Sequence, residues 1–405
     1  MELLTGLIAA LTLQGGWNAS LVAVGAGMLG LAAGGAGAFL FLRKRALVSD
    51  AASHATLPGV AAAFLVMVAF GGDGRFLPGL MLGSAISAGL GLALVTWITR
   101  ATRLAEDAAI GAVLSVSFGL GIVLLTVIQT VPAGKAAGLE GFLLGSTAGM
   151  LQSEAVTIAL AGAVAAGLVF LLRRPMTLVA FDPEHAEATG VGVWRTDMAM
   201  MGVALLVTVV GLKIVGLVLI VALLIIPPVA ARFWTDRVST LALLATAIGG
   251  VSGFVGAAIS SIEGRLPTGP IIVLVAFAIF VVSFLASPRR GVLAEVLRRR
   301  RLEARVHLRQ GLLALARGEA VYDRLTLRLL FSRGWIRADG AMTDAGRAAA
   351  AAAARDEARW SLARRLLPEA GVAERYDGLS PIGDSLTPDQ VAEIDRHLDL
   401  RRAPA

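Results

Sequence analysis

Apolar side chains run through the first 288 residues in long blocks, broken by short polar or basic stretches. A helix rises 1.5 Å per residue, so about 20 apolar residues cross the roughly 30 Å hydrocarbon layer of a bilayer. On that measure the pattern predicts spans at 18–42, 55–71, 76–98, 108–130, 154–172, 196–212, 214–231, 239–261 and 267–286. The pair 196–231 is short for two full crossings, so one member is expected to be broken or tilted and the spans number eight or nine. The apolar blocks stop at Ala286. Beyond Ser287-Pro288-Arg289-Arg290, Leu and Val recur at helical spacing among arginines, the pattern of amphipathic helices. The expected fold is an all-α polytopic membrane protein, residues 1–288, followed by a small helical cytoplasmic domain, residues 289–405.

Charge sets the orientation. Arg43, Lys44 and Arg45 follow the first span, Arg100 and Arg103 the third, Arg173 and Arg174 the fifth, Arg232 and Arg237 the seventh, and the arginine-rich tail the ninth. Basic loops stay inside, which puts these ends and the tail in the cytoplasm. The opposite loops hold only isolated charges: Asp73, Arg75, Lys135, Glu140, Lys213, Glu263 and Arg265. The N-terminus lies outside with nine spans and inside with eight. No Lys or Arg precedes Arg43, so a cleavable signal peptide is not expected. From Arg289 onward 22 arginines, no lysine and 16 carboxylates leave a net +6 of the chain's +7. Composition agrees with the membrane reading: 57% hydrophobic and 16% charged, against about 45–50% and about 25% in soluble domains. The 47 glycines show no collagen-like period and suit closely packed membrane helices. The absence of cysteine excludes disulfides, thiolate metal sites and a thiol nucleophile.

Four histidines occur, His54, His185, His307 and His397. Asp50 and His54 are four residues apart in Ser49-Asp50-Ala51-Ala52-Ser53-His54-Ala55-Thr56-Leu57-Pro58-Gly59, so on a helix they share a face. A carboxylate and an imidazole at that spacing can share a divalent transition metal, and two chains about a two-fold axis would offer four ligands. The spacing equally fits Asp50 as the N-cap of the next helix, with His54 in a wet loop. A second stretch, Phe181-Asp182-Pro183-Glu184-His185-Ala186-Glu187-Ala188-Thr189-Gly190, reads as a short capped helix on the inner face. Asp182 caps it, Pro183 takes the first turn and Gly190 ends it. It serves either as a connector or as a docking element. None of the three lysines, Lys44, Lys135 and Lys213, lies in a phosphate-binding G-x-x-x-x-G-K-[ST] motif, so the chain is not expected to hydrolyse ATP.

Together these residues resemble the permease subunits of binding-protein-dependent ATP-binding-cassette importers for Mn2+, Zn2+ or Fe2+. Four stretches carry the resemblance: Leu42 to Gly59 with its Asp-His pair and Leu-Pro-Gly, Phe181 to Gly190, Val215 to Pro227, and Leu266-Pro267-Thr268-Gly269-Pro270. It implies a fold similar to the vitamin B12-type importer permeases and a place in a bacterial plasma membrane. Asp50 and His54 would be the metal-coordinating pair of the translocation path. Phe181, Asp182, Pro183, Glu184, Ala188 and Gly190 would belong to the helix that couples to a cytoplasmic ATPase subunit. The implied partners are that ATPase, an extracytoplasmic metal-binding protein and a second permease chain. The metal is cargo, and no permanent cofactor is implied. The chain departs from the pattern at Gly145-Ser146, where an acidic residue often follows the glycine, and at Pro227-Pro228, where Thr-Pro is common.

The tail reads as a long arginine-rich helix, a second helix, a turn at Asp339-Gly340, an alanine-rich helix, and a last helix capped at Thr387-Pro388. This order resembles the winged-helix and dimerisation parts of diphtheria-toxin-repressor-like metalloregulators, with the wing at Gly334 to Met342. Their metal ligands would fall near Glu357, Ser361 and Asp384, without a histidine, so a working sensor is not expected. A basic tail of this kind could hold DNA phosphates, lie on anionic lipid or stabilise a dimer. Nucleic acid is not an expected partner of the importer. The competing reading is a membrane-tethered, metal-responsive DNA-binding regulator.

Overall fold

The computed structural model describes residues 8–14, 16–72, 74, 76–131, 152–214, 216–262, 266–366 and 372–402. The outer-loop charges Asp73, Arg75, Lys135, Glu140, Glu263 and Arg265, the side chain of Lys213, and Gly145-Ser146 lie outside them. The chain divides into two compact units, Met1–Leu293 and Ala294–Ala405. The division falls just beyond the compositional break at Pro288. On either side of that break, Ser287 Oγ donates to the carbonyl of Phe233 at 2.5 Å and Arg290 pairs with Asp236 at 2.6 Å, both contacts within the membrane unit.

The membrane unit is helical along its described length. Its helices are α1 (Trp17–Leu42), α2 (Ala46–Ala69), α3 (Leu77–Ala101), α4 (Glu106–Thr130), α5 (Gln152–Phe181), the short α6 (Pro183–Ala188), α7 (Val193–Ile214), α8 (Leu217–Trp234), α9 (Val238–Ser260) and α10 (Thr268–Ala286). Every expected span falls on one of them. Eight are long and apolar enough to cross a membrane, and the ninth apolar segment, in α8, is shorter. α8 is the abbreviated member of the close pair. Gly216, at φ +87°, turns the chain into it, and Pro227 and Pro228 lie inside it.

Small residues decide how these helices meet. Lipid tails are as apolar as leucine, so close backbone approach replaces the hydrophobic effect as the driving force. Along α1 the positions Ala26, Gly30 and Gly34 recur every fourth residue. On α9 Ala245, Gly249 and Gly253 do the same. A Cβ on Gly30 would overlap the carbonyl of Gly249, one on Gly34 that of Ala245, and one on Gly253 that of Ala26. The two helices therefore interlock backbone to backbone. α1 is the axis of the unit, with Leu29, Ala32, Ala33 and Phe39 buried against residues of α5, α7 and α8 such as Ala165, Val207 and Leu224. Gly59 and Gly83 bring α2 and α3 together in the same way.

Two helices exceed their hydropathy. α2 starts at Ala46, well before the expected 55, because its polar residues are satisfied within the helix. The hydroxyls of Ser49, Ser53 and Thr56 donate to the carbonyls of Ala46, Ser49 and Ser53 at 2.6, 2.9 and 2.5 Å. α5 runs past Arg173, Arg174 and Pro175 to Phe181, since Met176 and Val179 are buried in the core of the unit.

The second unit holds most of α11 (Val292–Ala316), then α12 (Arg324–Ser332), α13 (Asp344–Leu366), α14 (Val372–Arg375) and α15 (Pro388–Arg402). Between α12 and α13 the chain makes a tight turn closed by an isolated antiparallel pairing of Ile336 with Met342. Gly334 and Gly340 enter and round that turn at φ +68° and +83°. Two small cores form. One joins Leu308, Leu312, Leu330, Ile336 and Ala350. The other gathers Leu362, Val372, Ile382 and Ile394 around the fully buried Trp360. The last helix opens on a reciprocal cap: Thr387 N donates to Gln390 Oε1 at 3.1 Å and Gln390 N to Thr387 Oγ1 at 3.4 Å.

Candidate functional site

α2 carries Asp50 and His54. Asp50 is a helical residue and not a cap: the N-cap is Arg45, with no side-chain hydrogen bond. On this helix Val48, Ser49, Ala51, Ala52, Ser53, Ala55 and Thr56 are buried, while the side chains of Asp50 and His54 stay 35% and 17% exposed. The pair therefore leaves the helix on the face where Leu47 is also exposed, in a half of the helix that is otherwise largely buried. His54 Nε2 stands 3.5 Å from Asp50 Oδ1, too far for a strong hydrogen bond. Two ligands at about 2.1 Å on one tetrahedral ion stand roughly 3.4 Å apart. The pair thus already has the spacing that a shared ion requires. Phe118 of α4 meets the imidazole edge-on, with centroids 5.2 Å apart. His54 Nδ1 is buried and unpartnered, leaving Nε2 as the nitrogen turned to the carboxylate. Pro58 has no N–H, so the carbonyl of His54 lacks its usual partner one turn on. Among the described residues no three His, Cys, Asp or Glu side chains gather into a metal-holding group. Within one chain the described residues bring together one carboxylate and one imidazole here.

The segment after α5 is built as its residues dictate. Phe181 ends α5 and is 63% exposed. Asp182 caps α6 by accepting from His185 N at 2.9 Å, and Pro183 fills the first turn. Glu184 and Ala188 are exposed, while Ala186 anchors the helix to the core of the unit. Gly190 leaves it at φ +84°. The result is a short helix presenting an aromatic ring and several acids to the outside.

A charged junction, which the sequence reading did not assemble, lies between these two features. Asp197 near the start of α7 is 7% exposed. It accepts from Arg43 Nε at 3.0 Å and Nη2 at 3.2 Å, and from Arg45 Nη1 at 3.1 Å. Arg43 Nη1 also donates to the carbonyl of Val179 in α5 at 3.2 Å, and Arg45 Nε pairs with Glu106 at the start of α4 at 3.2 Å. A cavity of about 80 Å³ adjoins Arg45, Glu106 and Asp197. The junction ties together one end each of α1, α2, α4, α5 and α7. The available signal was Asp197 itself, a carboxylate at the edge of an apolar span that demands a partner.

In the second unit the positions nominated for metal are not assembled as a ligand set. Glu357 pairs with Arg309 at 3.2 Å and accepts from the Tyr376 hydroxyl at 2.5 Å. That hydrogen bond, with burial, raises the phenol's pKa. Arg309 also binds Asp356 at 2.9 Å, and Asp356 accepts from Ile382 N at 2.9 Å. Ser361 and Asp384 are exposed. A guanidinium thus already supplies the positive charge beside Glu357.

Comparison with known proteins bears on the membrane unit. The family model described as the ABC 3 transport family matches residues 18–287. The chain is 38% identical over 298 residues to the manganese transport system membrane protein MntC of Bacillus subtilis (strain 168), covering 74% of this chain and 67% of that one. It is 39% identical over 281 residues to the zinc transport system membrane protein TroC of Treponema pallidum (strain Nichols), covering 69% and 93%. Among solved structures, PsaBC from Streptococcus pneumoniae in complex with Fab superposes with a TM-score of 0.60 at 27% identity, over 71% of this chain and 97% of that chain. The matched residues begin in the first turn of α1 and stop just past α10, and over that stretch of membrane helices this chain belongs to the ABC 3 transport family.

Proposed function

We propose that the chain is the membrane permease subunit of an ATP-binding-cassette importer that passes a divalent transition metal into the cytoplasm, Mn2+ or Fe2+ ahead of Zn2+. One observation carries the reading: Asp50 and His54 stand at ligand spacing on one partly exposed face of α2, in a family whose relatives are named for manganese and zinc transport. Carboxylate and imidazole suit these ions, and there is no thiolate to bias the site toward softer ones. A second permease chain facing the pair would bring the ligands to four. The ion would arrive from an extracytoplasmic binding protein. The imidazole would bind the ion through the Nε2 lone pair and the carboxylate through Oδ1.

The energy comes from elsewhere. α6, with Phe181, Asp182, Pro183, Glu184, Ala188 and Gly190, is the surface proposed to dock on a separate cytoplasmic ATPase subunit. The protein is proposed to be multi-pass in the plasma membrane with residues 289–405 on the cytoplasmic side, as a dimer-stabilising appendage of degenerate metalloregulator type. The family match gives the regulator alternative no support, since it runs through the membrane helices. Uptake of radiolabelled Mn2+ in cells carrying Asp50→Ala or His54→Ala tests the site. Transport should be lost while the chain still co-purifies with its ATPase. Unchanged uptake in both variants rejects the assignment.

A further inference from the structure

Helices α1, α5 and α9 enclose a groove of about 1240 Å³. None of the three carries the Asp50–His54 pair. The walls are apolar, with Leu31 and Phe39 from α1, Val169 and Phe170 from α5, and Ala242 and Leu243 from α9. The groove also touches three exposed arginines, Arg173 and Arg174 on α5 and Arg237 at the N-cap of α9. Arg173 lies over the Phe170 ring, 3.9 Å from its centroid. None of the three has a carboxylate partner among the described residues. Asp236 borders the groove too, but its charge is already matched by Arg232 at 3.2 Å and Arg290 at 2.6 Å. These arginines belong to the basic ends that the positive-inside rule assigns to the cytoplasm.

An apolar channel between membrane helices with unpaired guanidiniums at its inner end calls for a ligand with a long apolar body and an anionic head. We infer that the groove binds an anionic phospholipid of the inner leaflet. Its acyl chains lie along Phe39, Val169 and Leu243, and its phosphate meets Arg173, Arg174 and Arg237. Guanidinium binds phosphate through two parallel N–H bonds. Anionic headgroups concentrate at the cytoplasmic face, where basic pockets between helices hold them. A second copy of the chain seated on this groove would bury the same guanidiniums against apolar side chains, at a cost that the groove offers nothing to offset.

The test uses the full-length chain in detergent, given equal amounts of phosphatidylglycerol and phosphatidylcholine with matched acyl chains and read by native mass spectrometry. The wild type should retain phosphatidylglycerol over phosphatidylcholine by roughly tenfold or more, as three basic contacts predict. The triple variant Arg173→Gln, Arg174→Gln, Arg237→Gln should lose that preference at unchanged oligomeric mass. Arg100→Gln with Arg103→Gln, which removes two exposed basic residues at the end of α3, should keep it. Ala166→Phe should lower retention by filling the groove while leaving every arginine in place. Equal retention of the two lipids by the wild type overturns the proposal. So does a preference that survives both the triple variant and Ala166→Phe, one lost equally in the Arg100 and Arg103 variant, or displacement of the lipid by inorganic phosphate alone. Loss of dimer mass in the triple variant would instead assign the groove to a second copy.

Discussion

Single residues in this protein do their work through partners far away in sequence. Asp197 neutralises two arginines that lie about 150 positions earlier, and no local motif announces it. Removing one member of a buried ionic cluster strands the other charges, typically at about 3–5 kcal/mol. Asp197→Asn should therefore lower the thermal midpoint of the full chain in detergent, whereas Arg100→Gln at the exposed end of α3 should leave it within experimental error. Because Arg45 also caps α2 five residues before Asp50, the same variant should slow Mn2+ uptake even where the protein still folds. Asp50 and His54 were legible in the sequence as a pair, since a spacing of four survives any choice of helix boundary. Their state was not. The hydroxyls that carry α2 through Ser49, Ser53 and Thr56 look like loop residues to a hydropathy window, and only their bonds to carbonyls one turn back place the pair inside a helix.

At the scale of the element, the apolar runs were legible because a bilayer demands about 20 such residues whatever the fold. Which helices touch was not, because glycine and alanine are spread through nearly all of them. The α1–α9 interlock depends on the absence of a side chain at particular positions. Gly30→Val should force the helices apart and cost about 1–3 kcal/mol, read as a lower melting temperature in detergent. The same change at Gly119 on α4, where a Cβ meets nothing within 4 Å, should be nearly neutral. α6 was readable in full, because cap, proline and terminal glycine are local signals. If α6 is the proposed docking surface, deleting Asp182–Ala188 should leave a chain that inserts but no longer stimulates or retains the proposed ATPase subunit, as measured by co-purification and metal-dependent ATP hydrolysis. Glu184→Arg, which opposes the dipole at the N-terminus of α6, should weaken both more mildly. A deletion that still transported would reduce α6 to a connector.

The whole molecule joins a family membrane unit to an arginine-rich unit that the family match does not reach. The break was legible from composition, while the internal order of the second unit depends on pairings such as Arg309 with Asp356 and Glu357 that span nearly fifty residues. Ending the chain after Arg290 should leave an inserted permease, because α10 ends at Ala286 and Arg289 and Arg290 remain to hold its inner end. The truncated protein should lose dimer by size-exclusion chromatography in detergent yet keep measurable uptake. An inserted, dimeric truncation that moves no metal would place the tail inside the transport cycle. The Arg309–Glu357 pair has a further consequence in terms of feedback. A sensor reports a concentration only if its charge is supplied by something that comes and goes. Beside Glu357 it is supplied by Arg309, a side chain that never leaves, so on the proposed regulator-like reading of the tail that position would signal nothing about the cargo inside the cell.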